Sequence, residues 1–230
     1  MQKVCCKISL EIACFSVEAC VEAEKAGADR IEFCADYARG GITPLHEDIL
    51  KVRSIINIPV HVIIRPRDGS FLYSPEEIKV MKNDILFCKM NGIDAVVFGV
   101  LNSFNKIDLI INKELVELAK PMSATFHRAF DECENLETAI IDLINLGFIR
   151  VLTSGGKKNT TEGINELKAL NKKFGPEIMI IPGGGVRSSS IANLMHETGC
   201  MEYHSAAITD NSNFIDIKEI GRLREKISQV

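Results

Sequence analysis

The sequence lacks several features that would place it in a class at once. Its 230 residues contain no apolar run of the ~18 residues that a membrane-spanning helix needs. Lys and Arg number 27 against 31 Asp and Glu, so the basic excess typical of nucleic-acid binding is missing. The first residues carry no long apolar stretch of the signal-peptide kind. We therefore expect a cytoplasmic protein whose partners include neither a membrane nor a nucleic acid.

Cysteine motifs for metal or redox chemistry are also missing. The chain has 8 cysteines, but no two of them form a CxxC pair, and no HExxH frame occurs. A reducing cytosol disfavours disulfides. Several cysteines follow apolar residues, as Cys88 follows Ile85-Leu86-Phe87. We interpret most of them as small core residues.

The composition is that of an ordinary globular protein, with 46% hydrophobic and 25% charged residues. The length allows one or two average domains, or a single α/β barrel. Because no linker or break in composition interrupts the chain, we predict one domain over residues 1–230. The mean hydropathy of +0.09 is mildly apolar, and we expect a homo-oligomer.

A glycine followed closely by a strand-like run recurs four times, at Gly27, Gly92, Gly147 and Gly199. Each glycine follows a helical pattern and suits the left-handed position after a helix. Other β-rich runs lie between these segments. Eight strands are predicted, beginning near residues 8, 30, 60, 95, 122, 149, 178 and 201.

The intervals between these strands each hold one strand, one helix and two loops. Ser16 and Ser74-Pro75-Glu76-Glu77 are typical helix starts. Eight such units predict a single (βα)₈ TIM barrel, an α/β fold. The alternative is a doubly wound open sheet, which would usually carry GxGxxG in its first βα turn. That turn here reads Ala13-Cys14-Phe15-Ser16. We expect residues 210–213 to loop over the barrel mouth and residues 216–230 to form the eighth helix.

Polar residues interrupt strands that would otherwise read as apolar. Parallel strands are covered on both faces, and successive residues point to opposite faces. This alternation turns five charged or ionisable side chains into the barrel: Glu11, Glu32, Arg65, His127 and His204. Most lie near the C-terminal strand ends, where barrels carry their active sites. We expect Arg65 to pair with the two glutamates, either in a functional site or in a charged layer that only fills the barrel.

The densest polar stretch runs from Thr125 to Asp131. His127 could be a general base or a metal ligand, and Asp131 could orient it. A hydrogen-bonded core histidine is the alternative. The candidate catalytic residues are Glu11, Glu32, Arg65 and His127.

Glycine-rich turns follow the sixth and seventh strands. Such turns expose backbone N–H groups and bind anions, although a tight βα turn requires glycine in any case. With Arg65 and Arg67 at the same rim, they predict a pocket for a phosphate or carboxylate. The candidate ligand-binding residues are Arg67, Asp131, Thr153, Ser154, Gly155, Gly156, Gly183, Gly184, Gly185 and His204.

Six segments follow one another along the chain: residues 27–34 (GADRIEFC), 40–44 (GGITP), 64–67 (IRPR), 125–131 (TFHRAFD), 151–155 (VLTSG) and 182–185 (PGGG). In this order they resemble the CutC copper homeostasis family of TIM barrels. The resemblance covers residues 10–205, and the tail beyond Ser205 is shorter than the family leads us to expect.

The resemblance implies a link to copper, with Cu(I) held by two cysteines at the ends of the first two strands. Cys34 matches the second position, but Ala13 stands at the first. Cys14 is adjacent and faces the opposite side of a regular strand. Since Cu(I) prefers two or more soft ligands, we expect Cys34 alone to bind it weakly.

Two classes of function remain open from the sequence. The first is a copper-binding or copper-trafficking protein, with Cu(I) as ligand. The second is an enzyme that acts on a small phosphorylated or carboxylated metabolite by acid–base chemistry at the C-terminal mouth of the barrel.

Overall fold

The computed structural model describes residues 7–210 and 213–229. Its eight strands each begin within about one residue of the predicted position, a smaller error than sequence reasoning usually makes at element boundaries. They are β1 (Ser9–Cys14), β2 (Arg30–Phe33), β3 (Val60–Ile63), β4 (Ala95–Phe98), β5 (Ser123–Phe126), β6 (Arg150–Thr153), β7 (Met179–Pro182) and β8 (Glu202–Ser205).

One α-helix lies between each strand and the next, and an eighth follows the last strand. They are α1 (Val17–Lys25), α2 (His46–Ile55), α3 (Pro75–Met90), α4 (Leu109–Ala119), α5 (Leu136–Leu146), α6 (Ile164–Phe174), α7 (Ile191–Thr198) and α8 (Ile217–Ser228). Two short 3₁₀ helices, Tyr37–Arg39 and Arg128–Glu132, follow β2 and β5.

All the strand pairs are parallel, and their order is β7-β6-β5-β4-β3-β2-β1-β8. β1 therefore pairs with both β2 and β8, and the ends of β7 and β8 lie side by side where Gly183 approaches His204. The sheet is a nearly closed barrel surrounded by helices. This confirms the predicted (βα)₈ TIM barrel and excludes the open doubly wound sheet.

Local sequence signals determine where the helices begin. The Ser16 side chain accepts a hydrogen bond from the N–H of Ala19, and Ser74 forms a capping box with Glu77. Helix α7 begins at Ile191, because residues 187–190 form a turn before it. Gly27, Gly92, Gly147 and Gly199 all have positive φ, as predicted for residues that follow helices.

The two faces of each strand are divided as the alternation predicts. On β1, Leu10, Ile12 and Cys14 are fully buried and belong to the apolar core between the strands and the helices. Glu11 and Ala13 face the barrel interior, so the polar side chains on this face of each strand meet at the barrel axis.

No helix in residues 7–210 and 213–229 is long and apolar enough to cross a membrane. Residues 211 and 212 of the predicted mouth loop, the terminal Val230 of the predicted eighth helix, and Cys5 and Cys6 lie outside the described residues.

Candidate functional site

A cavity of about 300 Å³ opens at the C-terminal end of the barrel. This volume is at the small end of the range for ligand pockets, which suits a metabolite of few atoms. The predicted residues that line it are Glu32, Cys34, Arg65, His127, Gly184, Gly185 and His204.

Glu11 lies below the cavity and is held by two cationic side chains. Arg30 Nε donates to its Oε2 at 2.6 Å, and His204 Nδ1 lies 2.7 Å from its Oε1. Burial alone would raise the pKa of Glu11, but Arg30, His204 and His61 hold it well below its ordinary value. Glu11 is therefore an anion at neutral pH, and both of its oxygens have partners.

Arg30, and not Arg65, is the arginine that pairs with Glu11 inside the barrel. Its Nη2 also donates to Glu202 at 2.5 Å, and Arg150 Nε lies 3.2 Å from the same carboxylate oxygen. The expected pairing of Arg65 with the two glutamates is wrong. The reason is depth, since the strand register places Arg30 directly beside Glu11.

Glu32 and His204 form the floor of the cavity. Nε2 of His204 lies 3.7 Å from Oε2 of Glu32, and both side chains are buried. Burial, with the nearby charge of Glu11, raises the pKa of Glu32. Burial alone would lower the pKa of His204, but Glu32 and Glu11 outweigh it and raise this pKa. The pair therefore combines a carboxylate of increased basicity with an imidazole that readily takes a proton.

Cys34 lies beside this pair, with its thiol directed to Oε2 of Glu32 at 3.5 Å. Burial and the charge of Glu32 raise its pKa well above the ordinary value, so the group is a thiol at neutral pH. The β1–β2 ladder is regular as far as Cys14, whose side chain lies in the outer core. Cys34 is thus the only described cysteine that lines the cavity, and one soft donor does not fit a Cu(I) site.

Glu11, Glu32 and His204 bring three possible metal-ligand atoms within 4.8 Å of one another. Oxygen and imidazole donors suit a borderline divalent cation better than Cu(I). Both oxygens of Glu11 and Nδ1 of His204 are already engaged, however. Two free donors are fewer than such an ion usually takes, so we derive no chemistry from a metal here.

Arg65 lines the cavity, but most of its N–H groups donate to backbone carbonyls. Its Nη1 donates to the carbonyls of Arg39 and Gly41, and its Nη2 to that of Gly69, each at 3.0 Å. Arg65 thereby joins the loops after β2 and β3. Its Nε has no partner among the described residues.

His127 is a fixed neutral imidazole. The N–H of Ala129 lies 3.3 Å from its Nδ1, which accepts, while its Nε2 is buried and has no partner in the described part of the chain. Burial and the charge of Arg65 lower the pKa of His127 to about 3. The expectation that Asp131 orients this ring is wrong, because Asp131 is turned toward the next strand.

Asp131 instead organises the turn after β6. Its carboxylate accepts hydrogen bonds from the hydroxyl of Thr153 at 2.5 Å, from the N–H of Ser154 at 3.1 Å and from the N–H of Gly156 at 3.0 Å. The N–H of Gly155 donates to the Thr153 hydroxyl. The protein's own carboxylate thus occupies this anion site, and the ligand-binding role of Thr153, Ser154, Gly155 and Gly156 stays a prediction that the cavity lining does not support.

The turn after β7 differs, because its N–H groups are not used in this way. Gly183 donates to the carbonyl of Thr153 and packs against His204. Gly184 and Gly185 line the cavity, and their N–H groups donate to no described residue. Arg128 lies beside Gly184 and is held by Asp131 and Ser154, while its Nη1 has no partner in the described chain. This turn and Arg128 can bind an anion.

Arg67 is not among the residues that line the cavity. Its Nε donates to Glu77 at 2.6 Å, and its other donors bind the carbonyls of Asp68, Ser70 and Leu72. This side chain links the loop after β3 to the start of α3, and its ligand-binding role stays a prediction that the cavity lining does not support.

Several residues of the site were missed from the sequence. Arg30, His61 and Glu202 share the inward face of their strands with the predicted residues, so alternation alone could have included them. Arg128, at the start of the 3₁₀ helix after β5, and Arg187, in the turn after β7, both line the cavity. The position of Arg187, two residues after Gly185, was the available signal for a cation beside the glycine turn.

Comparison with known families and curated proteins gives consistent matches. The CutC family model matches residues 8–209. A CutC family protein of Bacteroides thetaiotaomicron is 43% identical over 202 residues, which cover 87% of this chain and 81% of that protein. The human copper homeostasis protein cutC homolog is 41% identical over 198 residues, 86% of this chain and 73% of that protein.

Solved structures agree with these matches. The crystal structure of a CutC copper homeostasis protein from Streptococcus agalactiae has a TM-score of 0.84 and 32% identity, and covers 88% of this chain and 100% of that chain. Phosphoribosylanthranilate isomerase from Thermotoga maritima has a TM-score of 0.64 at 12% identity, over 97% of this chain and 100% of that chain. The second likeness concerns the barrel fold alone.

Proposed function

The chain belongs to the CutC family, and from that premise and the geometry of its cavity we propose that it is an enzyme acting on a small anionic metabolite. Arg128, Gly184 and Gly185 bind the phosphate or carboxylate group at the rim. Glu32 and His204 move a proton at the floor.

The observation that carries this proposal is the buried pair of Glu32 and His204 at the floor of the cavity. Burial penalises both charges of an ion pair, so a buried pair contributes little to stability. We therefore infer that a buried pair beside a cavity serves the cavity's ligand. Here the Glu11 contact at Nδ1 leaves Nε2 of His204 facing Glu32 at 3.7 Å. A buried carboxyl group and a buried imidazole that lie side by side with raised pKa values are typical of proton-transfer sites.

The rim supports an anionic substrate. Arg128 is partly exposed, and its Nη1, which has no partner among the described residues, lies beside Gly184. The N–H groups of Gly184 and Gly185 donate to no described residue. An arginine with adjacent backbone donors matches the oxygens of a phosphate or carboxylate. The cavity that connects the rim to the floor has a volume of about 300 Å³, so the bound molecule is small.

Cu(I) binding is the second candidate, and the lining position of Cys34 favours it. Copper homeostasis is the role named for the human relative. Because Ala13 stands opposite Glu32 in the ladder where a second thiol would be required, we propose weak Cu(I) binding at most. A cytoplasmic location and self-association stay predictions from the sequence.

The test is incubation of the protein in D₂O with a defined mixture of small phosphorylated and carboxylated metabolites, followed by mass spectrometry. We expect at least one compound to gain deuterium or change its mass. Glu32→Gln should abolish the change. Arg53→Gln, a control at the opposite end of the barrel where Arg53 pairs with Asp94, should retain it. A folded parent protein that alters no compound would contradict the proposal.

A further inference from the structure

Two buried N–H donors in the cavity wall have no partner among the described residues. They are Nε2 of His127 and Nε of Arg65. The side chains are 4% and 7% exposed, and both line the cavity. An unpaired buried donor destabilises the protein, and a bound acceptor would remove that penalty. The buried hydroxyl of Tyr73 interacts with the Arg65 guanidinium but leaves Nε without a hydrogen bond, so two donors on one wall point to a ligand oxygen.

The tautomer of His127 follows from its contacts. Nδ1 accepts from the N–H of Ala129, so the ring proton resides on Nε2. Burial and the charge of Arg65 lower the pKa of His127 to about 3, and the ring is neutral at physiological pH. His127 is thus a hydrogen-bond donor and not the general base that the sequence suggested.

Packing holds the two donors on the same wall of the cavity. The centroid of the Phe71 ring lies 4.7 Å from that of His127, and Cζ of Arg65 lies 5.1 Å from the same Phe71 centroid. On the other side, Gly99 packs so closely that a β-carbon there would lie 2.8 Å from Nδ1 of His127. With Nδ1 held by the N–H of Ala129 and the ring packed against Phe71, the Nε2–H direction of His127 is preorganised.

Building on the proposed function, we propose that His127 Nε2–H and Arg65 Nε–H bind the carbonyl oxygen of the substrate beside the carbon that Glu32 deprotonates. The C–H proton moves to the Glu32 carboxylate. The electron pair of that bond forms a carbon–carbon double bond, and the carbonyl pair moves onto the oxygen held by the two donors. Glu32 then returns the proton to the enolate, so no co-reactant is required.

This assigns the substrate class as a small anion with a carbonyl group next to an acidic C–H bond. A neutral imidazole suits the role, because it donates to a developing oxyanion without carrying a charge that must be desolvated. Arg128 and the turn after β7 would hold the anionic group, as in the proposed function, and the two donors would hold the carbonyl.

The test is NMR of protein labelled with ¹⁵N-histidine, with His127 assigned from the His127→Gln variant. The probes are 2-phosphoglycolate, which carries both a phosphate and a carboxylate, and methyl phosphate, which carries only the phosphate. We expect the Nε2–H tautomer from about pH 5.5 to about pH 8. The Nε2–H proton should shift downfield with 2-phosphoglycolate and not with methyl phosphate. His127→Leu should weaken the affinity for 2-phosphoglycolate about tenfold and leave the affinity for methyl phosphate unchanged.

The possible failures are distinct. Both probes could bind, more weakly when Arg128 is replaced, without any change in the chemical shift of the His127 Nε2–H proton. In that case the inference is wrong and the proposed function survives. A protonated ring, or a ring with its proton on Nδ1, would also overturn the inference alone. If neither probe binds, the anion site itself is wrong, and the proposed function and the inference fail together.

Discussion

Oε1 of Glu11 lies 2.7 Å from Nδ1 of His204, and this contact decides which ring nitrogen faces Glu32. The imidazole lies between two carboxylates, one with its own arginine partner and one without. Glu11 is kept ionised by Arg30, whereas burial raises the pKa of Glu32. The two glutamates therefore have different roles, as a fixed anion and as a base.

Removing Arg30 should destabilise the protein strongly. Arg30→Met leaves the buried Glu11 and the partly buried Glu202 without their main partner, and we expect a loss of about 3–5 kcal/mol in the free energy of unfolding. Urea unfolding measures it. Lys168→Met, which breaks an exposed pair with Glu197, is the control and should change the value by less than about 0.5 kcal/mol. Equal effects of the two variants would contradict the buried network.

His127 should make stability depend on pH. The folded ring stays neutral down to about pH 3, and the unfolded ring binds a proton below its ordinary pKa of 6.5, so stability falls as pH falls through this window. Between about pH 7.5 and about pH 5.5 the parent should lose about 1.4 kcal/mol more than His127→Gln. Denaturant unfolding at the two pH values measures the difference, and parallel losses in both proteins would show that His127 is not held neutral.

The carboxylate of Asp131 should stabilise the turn after β6 by accepting hydrogen bonds from its N–H groups. Asp131→Ala leaves the N–H groups of Ser154 and Gly156 without their acceptor, and we expect a loss of about 3 kcal/mol in unfolding free energy. Added acetate should restore part of it. Asp68→Ala removes an exposed carboxylate that pairs with Arg39 and serves as the control. No rescue by acetate would contradict an open anion site in the variant.

Cu(I) should bind weakly. A competition with a Cu(I) chelator should show little difference between the parent protein and Cys34→Ser, because one thiol with a raised pKa lines the cavity. Tight binding of one equivalent, lost in Cys34→Ser, would show that another soft ligand completes the site and would restore copper as the ligand.

Strand positions and the inward direction of the site residues could be predicted, because both depend on local periodicity. The choice between Arg30 and Arg65 as partner of Glu11 could not, because it depends on the stagger between β1 and β2. The role of Asp131 depends on a contact with a turn 22 or more residues away. Such contacts are set by the closed barrel, and no spacing in the sequence records them.

The most direct test of the central claim is a calorimetric titration with 2-phosphoglycolate. The parent protein should bind one equivalent saturably, and Arg128→Gln should weaken binding about tenfold through loss of one charge-assisted contact. Arg53→Gln, at the opposite end of the barrel, should match the parent. An absence of saturable binding to the folded parent, or equal affinity in Arg128→Gln, would contradict an anion-binding active site in this cavity.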